Sequence, residues 1–302
     1  MSAHPTIAFI GLGNMGLPMA TNLVRAGFPV KGFDLVADNT SAFDAAGGTV
    51  ADSLPAALAG AKVVITMLPA GAHVNDVVCG RGGVLEQGEL PDLILDCSTI
   101  DVAEARAISA RAAKAGIDML DAPVSGGIMG ARNASLTFMC GGEEKAFEKA
   151  RPLLDAMGSN VIHAGGSGNG QAAKVCNNML LGISMIGVSE AFNLADGLGL
   201  DRQTLFDISS RASGQCWSLT SYCPVPGPVP ASPANNGYAP GFSAAMMLKD
   251  LRLARGAADA SEVATPLGEH ARQLYEAFLE QGGAEKDFSG IINFLREKSS
   301  ES

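Results

Sequence analysis

Short apolar runs alternate with longer amphipathic stretches over residues 1–165 of the chain. The runs have the length of β-strands, and the stretches between them carry apolar residues at helical spacing. This alternation predicts a parallel sheet covered by helices. The predicted strands are Thr6–Ile10, Val30–Asp34, Lys62–Met67, Leu93–Asp96, Met119–Leu120, Leu136–Cys140 and Asn160–His163. The predicted helices between them are Met15–Ala26, Ala72–Val78, Ala103–Ala115 and Glu143–Met157.

Beyond Gly165 the strand pattern stops and helical patterns follow one another. These helices are predicted at Gly170–Leu198, Arg202–Ala212, Phe242–Asp259, Thr265–Gln281 and Phe288–Lys298. A glycine-rich stretch at residues 163–170 separates the two patterns. We therefore predict an α/β protein with two domains. Residues 1–165 would form a Rossmann-type dinucleotide-binding domain, and residues 166–302 an all-α domain.

One long segment fits neither pattern. Residues 212–248 contain no charged side chain but six prolines. Backbone broken by proline cannot span a lipid bilayer, because its amides would lack partners there. Long ordered loops in compact domains are often functional. Two interpretations stay open, namely a loop that wraps the domain or contacts a partner subunit, and a loop that lines a site.

Composition narrows the class of protein. The 302 residues are 47% hydrophobic, and 21 Lys+Arg against 31 Asp+Glu give a net charge of −10. An acidic balance argues against a nucleic-acid or anionic-membrane partner. The six cysteines form no C-x-x-C pair and the four histidines show no ligand spacing, so we expect a reducing compartment and no metal.

The opening Met-Ser-Ala-His-Pro lacks a basic signal region, and the uncharged run at residues 175–189 is too short for a membrane span of about 20 residues. We expect a cytoplasmic protein with no membrane partner.

A glycine-rich turn follows the first predicted strand and opens the first predicted helix. It consists of Gly11, Leu12, Gly13, Asn14, Met15 and Gly16. In such a turn the first glycine permits the bend, the second lets backbone approach a pyrophosphate, and the third allows close packing of helix on strand. Asp34 ends the next strand, close to the position where a carboxylate that binds the adenosine ribose is expected after such a turn. No arginine follows at positions 35–37, so NAD is favoured over NADP.

Other strand ends carry polar or flexible residues that would meet at the same edge of the sheet. The sequence Ser125-Gly126-Gly127 offers a hydroxyl and successive amides to a substrate carboxylate, although an ordinary turn has the same composition. The ends near Leu68 and Thr99 are further candidates, with helix capping as the alternative at residues 98–99.

The helix predicted directly after the glycine-rich stretch carries the candidate catalytic residues. Gly170, Lys174, Asn177 and Asn178 share one face at helical spacing, and that face is otherwise apolar. Burial would destabilise the ammonium of Lys174 and lower its pKa, which would allow proton exchange near neutral pH. The alternative is a lysine that extends to solvent beside a structural asparagine pair. Lys249 is a second candidate, with an exposed ion pair as its alternative.

Together these motifs resemble those of the β-hydroxyacid dehydrogenases. The matching stretches are Phe9–Gly16 with Pro18-Met19-Ala20, Asp121–Gly127 and Gly168–Asn178. Further stretches are most similar to the branch of that family that acts on 3-hydroxyisobutyrate. They are Trp217-Ser218-Leu219, Pro224–Gly227, Pro233–Asn236 and Lys286–Ser289. The resemblance runs nearly from end to end.

The resemblance implies a reaction and roles for individual residues. The reaction would be NAD-dependent oxidation of 3-hydroxyisobutyrate to methylmalonate semialdehyde in valine degradation, by a homodimer or homotetramer. Lys174 would be the catalytic acid/base. The implied substrate-binding residues are Ser125, Gly126, Gly127 and Asn178, with Trp217 and Phe242 as pocket walls. The implied NAD contacts are the Gly11–Gly16 turn, Asp34, Leu68, Pro69, Thr99 and Lys249.

Two alternatives stay open at this point. A sister reductase of the same family would act on tartronate semialdehyde or another short aldehyde acid and would share Lys174. A dinucleotide-binding sensor without turnover would belong to a different class of protein.

Overall fold

The computed structural model describes the backbone of residues 4–300 and the side chains of residues 4–297. The first three residues of the predicted signal-free opening therefore lie outside the described residues. The chain divides into two compact units, the first ending at Lys174 and the second beginning at Val175.

The first unit contains a sheet of nine strands among the described residues. The strands are β1 (Ile7–Ile10), β2 (Val30–Phe33), β3 (Thr49–Val50), β4 (Val63–Thr66), β5 (Leu93–Asp96), β6 (Asp118–Asp121), β7 (Val124–Ser125), β8 (Leu136–Gly141) and β9 (Gly158–Gly165). They are ordered β3-β2-β1-β4-β5-β6-β8-β7, and β9 pairs with β8. The order reverses direction at β1, the arrangement that in open α/β sheets places ligands beyond the carboxyl ends of the strands.

Helices follow most of these strands. They are α1 (Gly16–Arg25), α2 (Ala37–Ala45), α3 (Leu54–Leu58), α4 (Gly71–Cys79), α5 (Val102–Lys114), α6 (Gly127–Arg132) and α7 (Glu144–Met157), with a 3₁₀ turn at Val84–Glu86. The long helix α8 (Asn169–Leu198) begins in the first unit and continues in the second.

The sheet is covered on both faces. In β1 all four residues are buried, and successive side chains enter different clusters. Ile7 and Phe9 belong to one apolar cluster, and Ala8 and Ile10 belong to another. Since strand side chains alternate in direction, the two clusters lie on opposite faces of the sheet. A central strand buried on both faces has a continuous apolar sequence, which is why the sequence pattern identified it.

The prediction of a parallel sheet is wrong for one part of it. Strands β6 and β7 both pair antiparallel with β8, whereas β8 and β9 pair in parallel. The connection from β6 to β8 contains only β7 and the six-residue helix α6. A helix this short rises about 9 Å, too little to return the chain along the sheet for another parallel strand.

The second unit is helical. After α8 it contains α9 (Arg202–Ser209), α10 (Trp217–Thr220), α11 (Ala244–Ala260), α12 (Pro266–Phe278) and α13 (Ile291–Ser300), with 3₁₀ turns at Pro233–Asn236 and Phe288–Gly290 and a π-helical turn at Leu279–Gly283. The predicted fold class, a Rossmann-type domain followed by a helical domain, is confirmed.

By length and composition, α8 would suffice to cross a membrane. It has 30 residues, and its most apolar 18-residue window has a mean hydropathy of 1.3. Within that window 39% of the residues are buried inside the protein. The uncharged run at residues 175–189 thus belongs to a longer helix, and that helix is only partly buried.

Candidate active site

The glycine-rich turn between β1 and α1 has the geometry that a dinucleotide needs. Gly11 has φ +95°, and a Cβ there would lie 2.3 Å from the carbonyl oxygen of Met67. A Cβ on Gly16 would lie 1.9 Å from the oxygen of Gly11, so helix and turn touch through backbone. A Cβ on Gly13 would meet no atom within 4 Å. The second glycine thus faces open space, where a pyrophosphate can approach the backbone closely.

Asp34, one residue beyond β2, is the carboxylate expected to bind the adenosine ribose of the cofactor. Its Oδ2 accepts a hydrogen bond of 2.6 Å from the amide of Leu12, and its Oδ1 accepts one of 2.8 Å from the amide of Val36. Each carboxylate oxygen has a second lone pair, so both can still accept ribose hydroxyls. Positions 35–37 hold Leu, Val and Ala, and Leu35 is 90% exposed. These residues fit NAD, because they offer no cation to a 2′-phosphate.

Leu68 and Pro69 follow β4, which lies beside β1 in the sheet order, and Thr99 follows β5, the next strand beyond β4. The amide of Leu68 donates to Ser98 Oγ at 2.9 Å, so Ser98 joins the two strand ends. Capping of α5 falls to Asp101, whose side chain accepts from the amides at residues 103 and 104. The carboxyl ends of these strands therefore lie at the same edge as the glycine-rich turn.

Cys97 is fully buried between these segments. Burial raises the pKa of its thiol well above the ordinary value. That environment disfavours the thiolate, which is the reactive form of a cysteine.

Lys174 is buried in the first unit. The residue is 7% exposed, and Nζ donates a hydrogen bond of 2.7 Å to the carbonyl oxygen of Val124. Val124 immediately precedes Ser125, and both belong to β7. Gly126 (φ +130°) and Gly127 (φ +61°) follow directly. The amine therefore does not extend to solvent, and it lies against the strand that leads into the Ser-Gly-Gly sequence.

The first turn of α8 is fixed by Asp121 at the end of β6 and by the side chain of Gln171, which belongs to α8 itself. Asp121 accepts hydrogen bonds from the amides of Gly168 and Gln171, at 2.7 and 2.8 Å. The side chain of Gln171 donates to the oxygen of Ser98 and accepts from the amide of Ile100, at 2.7 and 3.1 Å. Burial raises the pKa of Asp121 to about 6, although the amide donors favour its charged form. This network holds the turn that precedes Lys174 against β5 and β6.

In the second unit Asn178 is buried and donates a short hydrogen bond to Oδ2 of the buried Asp250. Asn177 donates to Oδ1 of Asn178 at 2.9 Å. Lys249 is half-buried on α11, next to Asp250. The side-chain amide of Asn178 is therefore oriented by hydrogen bonds with Asn177 and Asp250.

Trp217 begins α10 and is 52% exposed, while Phe242 is half-buried two residues before α11. The two rings belong to one aromatic group in the second unit, linked through Tyr222 and Phe288. The described residues contain no group of three or more His, Cys, Asp or Glu that could hold a metal ion.

Sequence reasoning assigned no role to Gln171, Asp250 or Asp287, each of which is buried and hydrogen-bonded. Each was nevertheless marked by its position. Gln171 and Asp250 stand within one helical turn of a candidate lysine, and Asp287 stands in one of the stretches that carry the family resemblance.

Two family models match consecutive parts of the chain. Residues 6–166 match the NAD binding domain of 6-phosphogluconate dehydrogenase. Residues 168–295 match the model described as NAD-binding of NADP-dependent 3-hydroxyisobutyrate dehydrogenase. With the fold and the cofactor turn, these matches define an oxidoreductase that binds NAD.

Similarity to individual proteins narrows this class. A solved structure of Mycobacterium tuberculosis 3-hydroxyisobutyrate dehydrogenase with L-serine has a TM-score of 0.92 and 50% identity, covering 97% of this chain and 99% of that one. The NAD-dependent L-serine dehydrogenase of Pseudomonas aeruginosa is 50% identical, over 94% of this chain and 96% of that protein. The mitochondrial 3-hydroxyisobutyrate dehydrogenase of Mus musculus is 43% identical, over 99% of this chain and 89% of that protein. The chain belongs to the 3-hydroxyisobutyrate dehydrogenase family, which confirms the resemblance.

Proposed function

We propose that the protein oxidises 3-hydroxyisobutyrate to methylmalonate semialdehyde in valine degradation, with Lys174 as the general acid/base. The observation that carries this proposal is the buried amine of Lys174, 2.7 Å from the oxygen of Val124 and next to the Ser125–Gly127 sequence. A buried amine can hold and release a proton, and the neighbouring hydroxyl and amides suit a carboxylate.

NAD, when bound, supplies the acceptor for the hydride that leaves the carbinol carbon. Ser125, Gly126 and Gly127 would bind the substrate carboxylate, and Asn178 would hold the substrate. Neutral Lys174 would take the hydroxyl proton at Nζ during oxidation and return it in the reverse direction. The Gly11–Gly16 turn, Asp34, Leu68, Pro69, Thr99 and Lys249 would contact NAD, and the environment of Asp34 supports NAD over NADP.

L-Serine is the second candidate substrate. It is favoured by the Pseudomonas aeruginosa relative named for that activity and by the Mycobacterium tuberculosis structure with L-serine. Both acids carry a primary alcohol on the carbon β to the carboxylate, and they differ in a methyl or an ammonium substituent at the α-carbon. Trp217 and Phe242, as walls of the substrate pocket, would favour the methyl group because they are apolar.

The test is NADH formation by the purified protein with 3-hydroxyisobutyrate, L-serine, glycerate and 4-hydroxybutyrate, repeated with NADP. We expect the highest kcat/KM for 3-hydroxyisobutyrate with NAD.

Replacing Lys174 with Ala should lower kcat by about 10²–10⁴-fold, the usual contribution of a general base, while NAD binding is retained. Lys145→Ala, on the exposed face of α7, is the matched control. Near-normal turnover by Lys174→Ala would refute the assignment.

We also propose that the protein is a cytoplasmic homo-oligomer, a dimer or a tetramer. All six cysteines are free thiols, which supports a reducing compartment. Exposed leucines on α8 support association with a second copy.

A further inference from the structure

The uncharged segment 212–248 is anchored by a carboxylate that lies outside it. Asp287 is fully buried and accepts five hydrogen bonds. Its Oδ1 accepts from the amide and the hydroxyl of Ser289, at 3.0 and 2.6 Å. A buried carboxylate is costly unless its oxygens are satisfied, and here the donors offset that cost.

The other oxygen of Asp287 joins two distant parts of the segment. Oδ2 accepts from the hydroxyl of Tyr222 at 2.8 Å, and from the amides of Gly241 and Phe242 at 3.0 and 3.1 Å. Burial and the charge of Asp287 raise the pKa of Tyr222 well above its ordinary value, so its hydroxyl stays a donor. One carboxylate thus fixes residue 222 against residues 241–242.

The same residues carry a continuous group of aromatic rings. Trp217 stacks on Tyr222 with centroids 4.9 Å apart and planes 20° apart. Tyr222 stacks on Phe288 at 5.3 Å, and Phe242 meets the edge of Phe288 at 5.6 Å. Asp287 therefore accepts hydrogen bonds from the hydroxyl of Tyr222, whose ring stacks on Trp217, and from the amide of Phe242. It also immediately precedes Phe288 in the chain.

We propose that Asp287 is a positioning residue that sets the spacing of Trp217 and Phe242 and so determines which α-substituent of a short hydroxy acid the protein accepts. This rests on the proposed function only in that Trp217 and Phe242 face the substrate. Asp287 acts through Tyr222 and the 241–242 backbone and does not itself touch substrate. Loss of its bonds widens the tolerance for substituents, because the two rings are no longer held in one arrangement.

The fluorescence of Trp217 tests the positioning directly, since the chain contains one tryptophan. Tyr222→Phe keeps the stacked ring and removes one hydrogen bond, and Asp287→Asn removes the charge at nearly constant shape. In both variants we expect Trp217 emission to shift to longer wavelength and acrylamide quenching to increase. Asp201→Asn is the matched control, because Asp201 also accepts a backbone hydrogen bond in the second unit but caps α9.

Kinetics with 3-hydroxyisobutyrate and L-serine supply the second measurement. We expect KM for 3-hydroxyisobutyrate to rise about threefold to tenfold in Tyr222→Phe, the factor for one lost hydrogen bond. The rise should be larger in Asp287→Asn, because its amide nitrogen cannot accept the two or three hydrogen bonds that one carboxylate oxygen accepts. KM for NAD should stay constant, kcat should change less than KM, and the kcat/KM preference between the two acids should narrow. An unchanged preference and an emission equal to that of Asp201→Asn would overturn the proposal. Tyr222→Phe decides alone if Asp287→Asn does not fold.

The wild-type protein separates this outcome from failure of the proposed function. If none of the hydroxy acids supports NADH formation, the proposed reaction is wrong. The inference is then judged by titrating Trp217 fluorescence with 3-hydroxyisobutyrate in the presence of NAD. A saturable change that weakens in Tyr222→Phe supports it, and no change in the wild-type protein overturns it.

Discussion

At the scale of single residues, two glycines allow α8 to approach the sheet around Asp121. A Cβ on Gly170 would lie 2.3 Å from the oxygen of Met139 and 2.4 Å from the oxygen of Asp121. A Cβ on Gly141 would lie 2.6 Å from the amide nitrogen of Gly170. These neighbours are backbone atoms and cannot rotate away. The helix turn before Lys174 is therefore close to the strands only because both positions lack a side chain.

We expect Gly170→Ala to lower the free energy of unfolding by about 2 kcal/mol or more and to reduce kcat, because α8 must move away from β6 and β8. Gly256→Ala is the control, since a Cβ there meets no atom within 4 Å on α11. That substitution should be neutral or stabilising by up to about 1 kcal/mol through helix propensity. Thermal unfolding and turnover measure both effects. Equal stability of the two variants would contradict the close approach.

The sequence identified these residue types but not their partners. The glycine pattern and the helical spacing of Lys174 and Asn178 are local signals. The bonds from Gln171 to Ser98 and from Lys174 to Val124 join residues 73 and 50 positions apart, and no local pattern encodes such pairs. The sequence therefore predicted that Lys174 and Asn178 share a helix face, but it did not predict the hydrogen bonds that orient that helix.

At the scale of elements, Asp121 links β6 to the start of α8 and should make stability depend on pH. The pKa of this carboxyl is about 6 in the folded protein against an ordinary 3.8. A group whose pKa is raised by folding contributes its full stability below the lower value and loses it as pH rises through the higher one. A difference of about two in pKa corresponds to about 3 kcal/mol.

We expect the free energy of unfolding to fall by up to about 3 kcal/mol more between about pH 4 and pH 7 in the wild-type protein than in Asp121→Asn. Asp96, whose pKa burial also raises to about 6, is present in both proteins, but the charge of Asp121 helps to raise that pKa. Removing this charge in Asp121→Asn therefore also weakens the pH dependence that Asp96 contributes, in the same direction as the loss of Asp121 itself. Asp201→Asn should keep the wild-type slope, because hydrogen bonds from Thr204 lower the pKa of Asp201 and move its effect below pH 3.8. Urea denaturation across this range measures the slopes. Parallel slopes for the wild-type protein and Asp121→Asn would refute the prediction.

The elements that sequence reasoning missed are those with little burial pattern. Helix α2 buries only Phe43, so it has no apolar stripe to detect. Strands β3 and β7 have two residues each, too few for a period of two to emerge. Longer elements were predicted to within a few residues, because repeated burial on one face produces a periodic sequence. Helix α9 ends at Ser209 rather than at the predicted Ala212.

At the scale of the whole molecule, connection lengths explain what the sequence could specify. Strand–helix alternation over residues 6–66 predicts parallel pairing, and β1, β2 and β4 do pair in parallel. The antiparallel pairing of β8 depends on the short α6, whose apolar residues are too few to mark a helix. The route of the uncharged segment 212–248 depends on Asp287, which follows two further helices in the chain.

The surface of α8 argues for the proposed homo-oligomer. Leu180, Leu194 and Leu198 are 65%, 63% and 74% exposed. Their spacings are close to whole numbers of helical turns, so they lie on one helix face, and an exposed apolar stripe needs a partner. We expect a mass of at least twice 30.8 kDa by light scattering, and a monomer for the double variant Leu194→Asp/Leu198→Asp. Leu194→Met/Leu198→Met, which keeps the stripe apolar, should retain the wild-type mass. A wild-type monomer, or an oligomer unaffected by the two aspartates, would show that this face does not join the subunits.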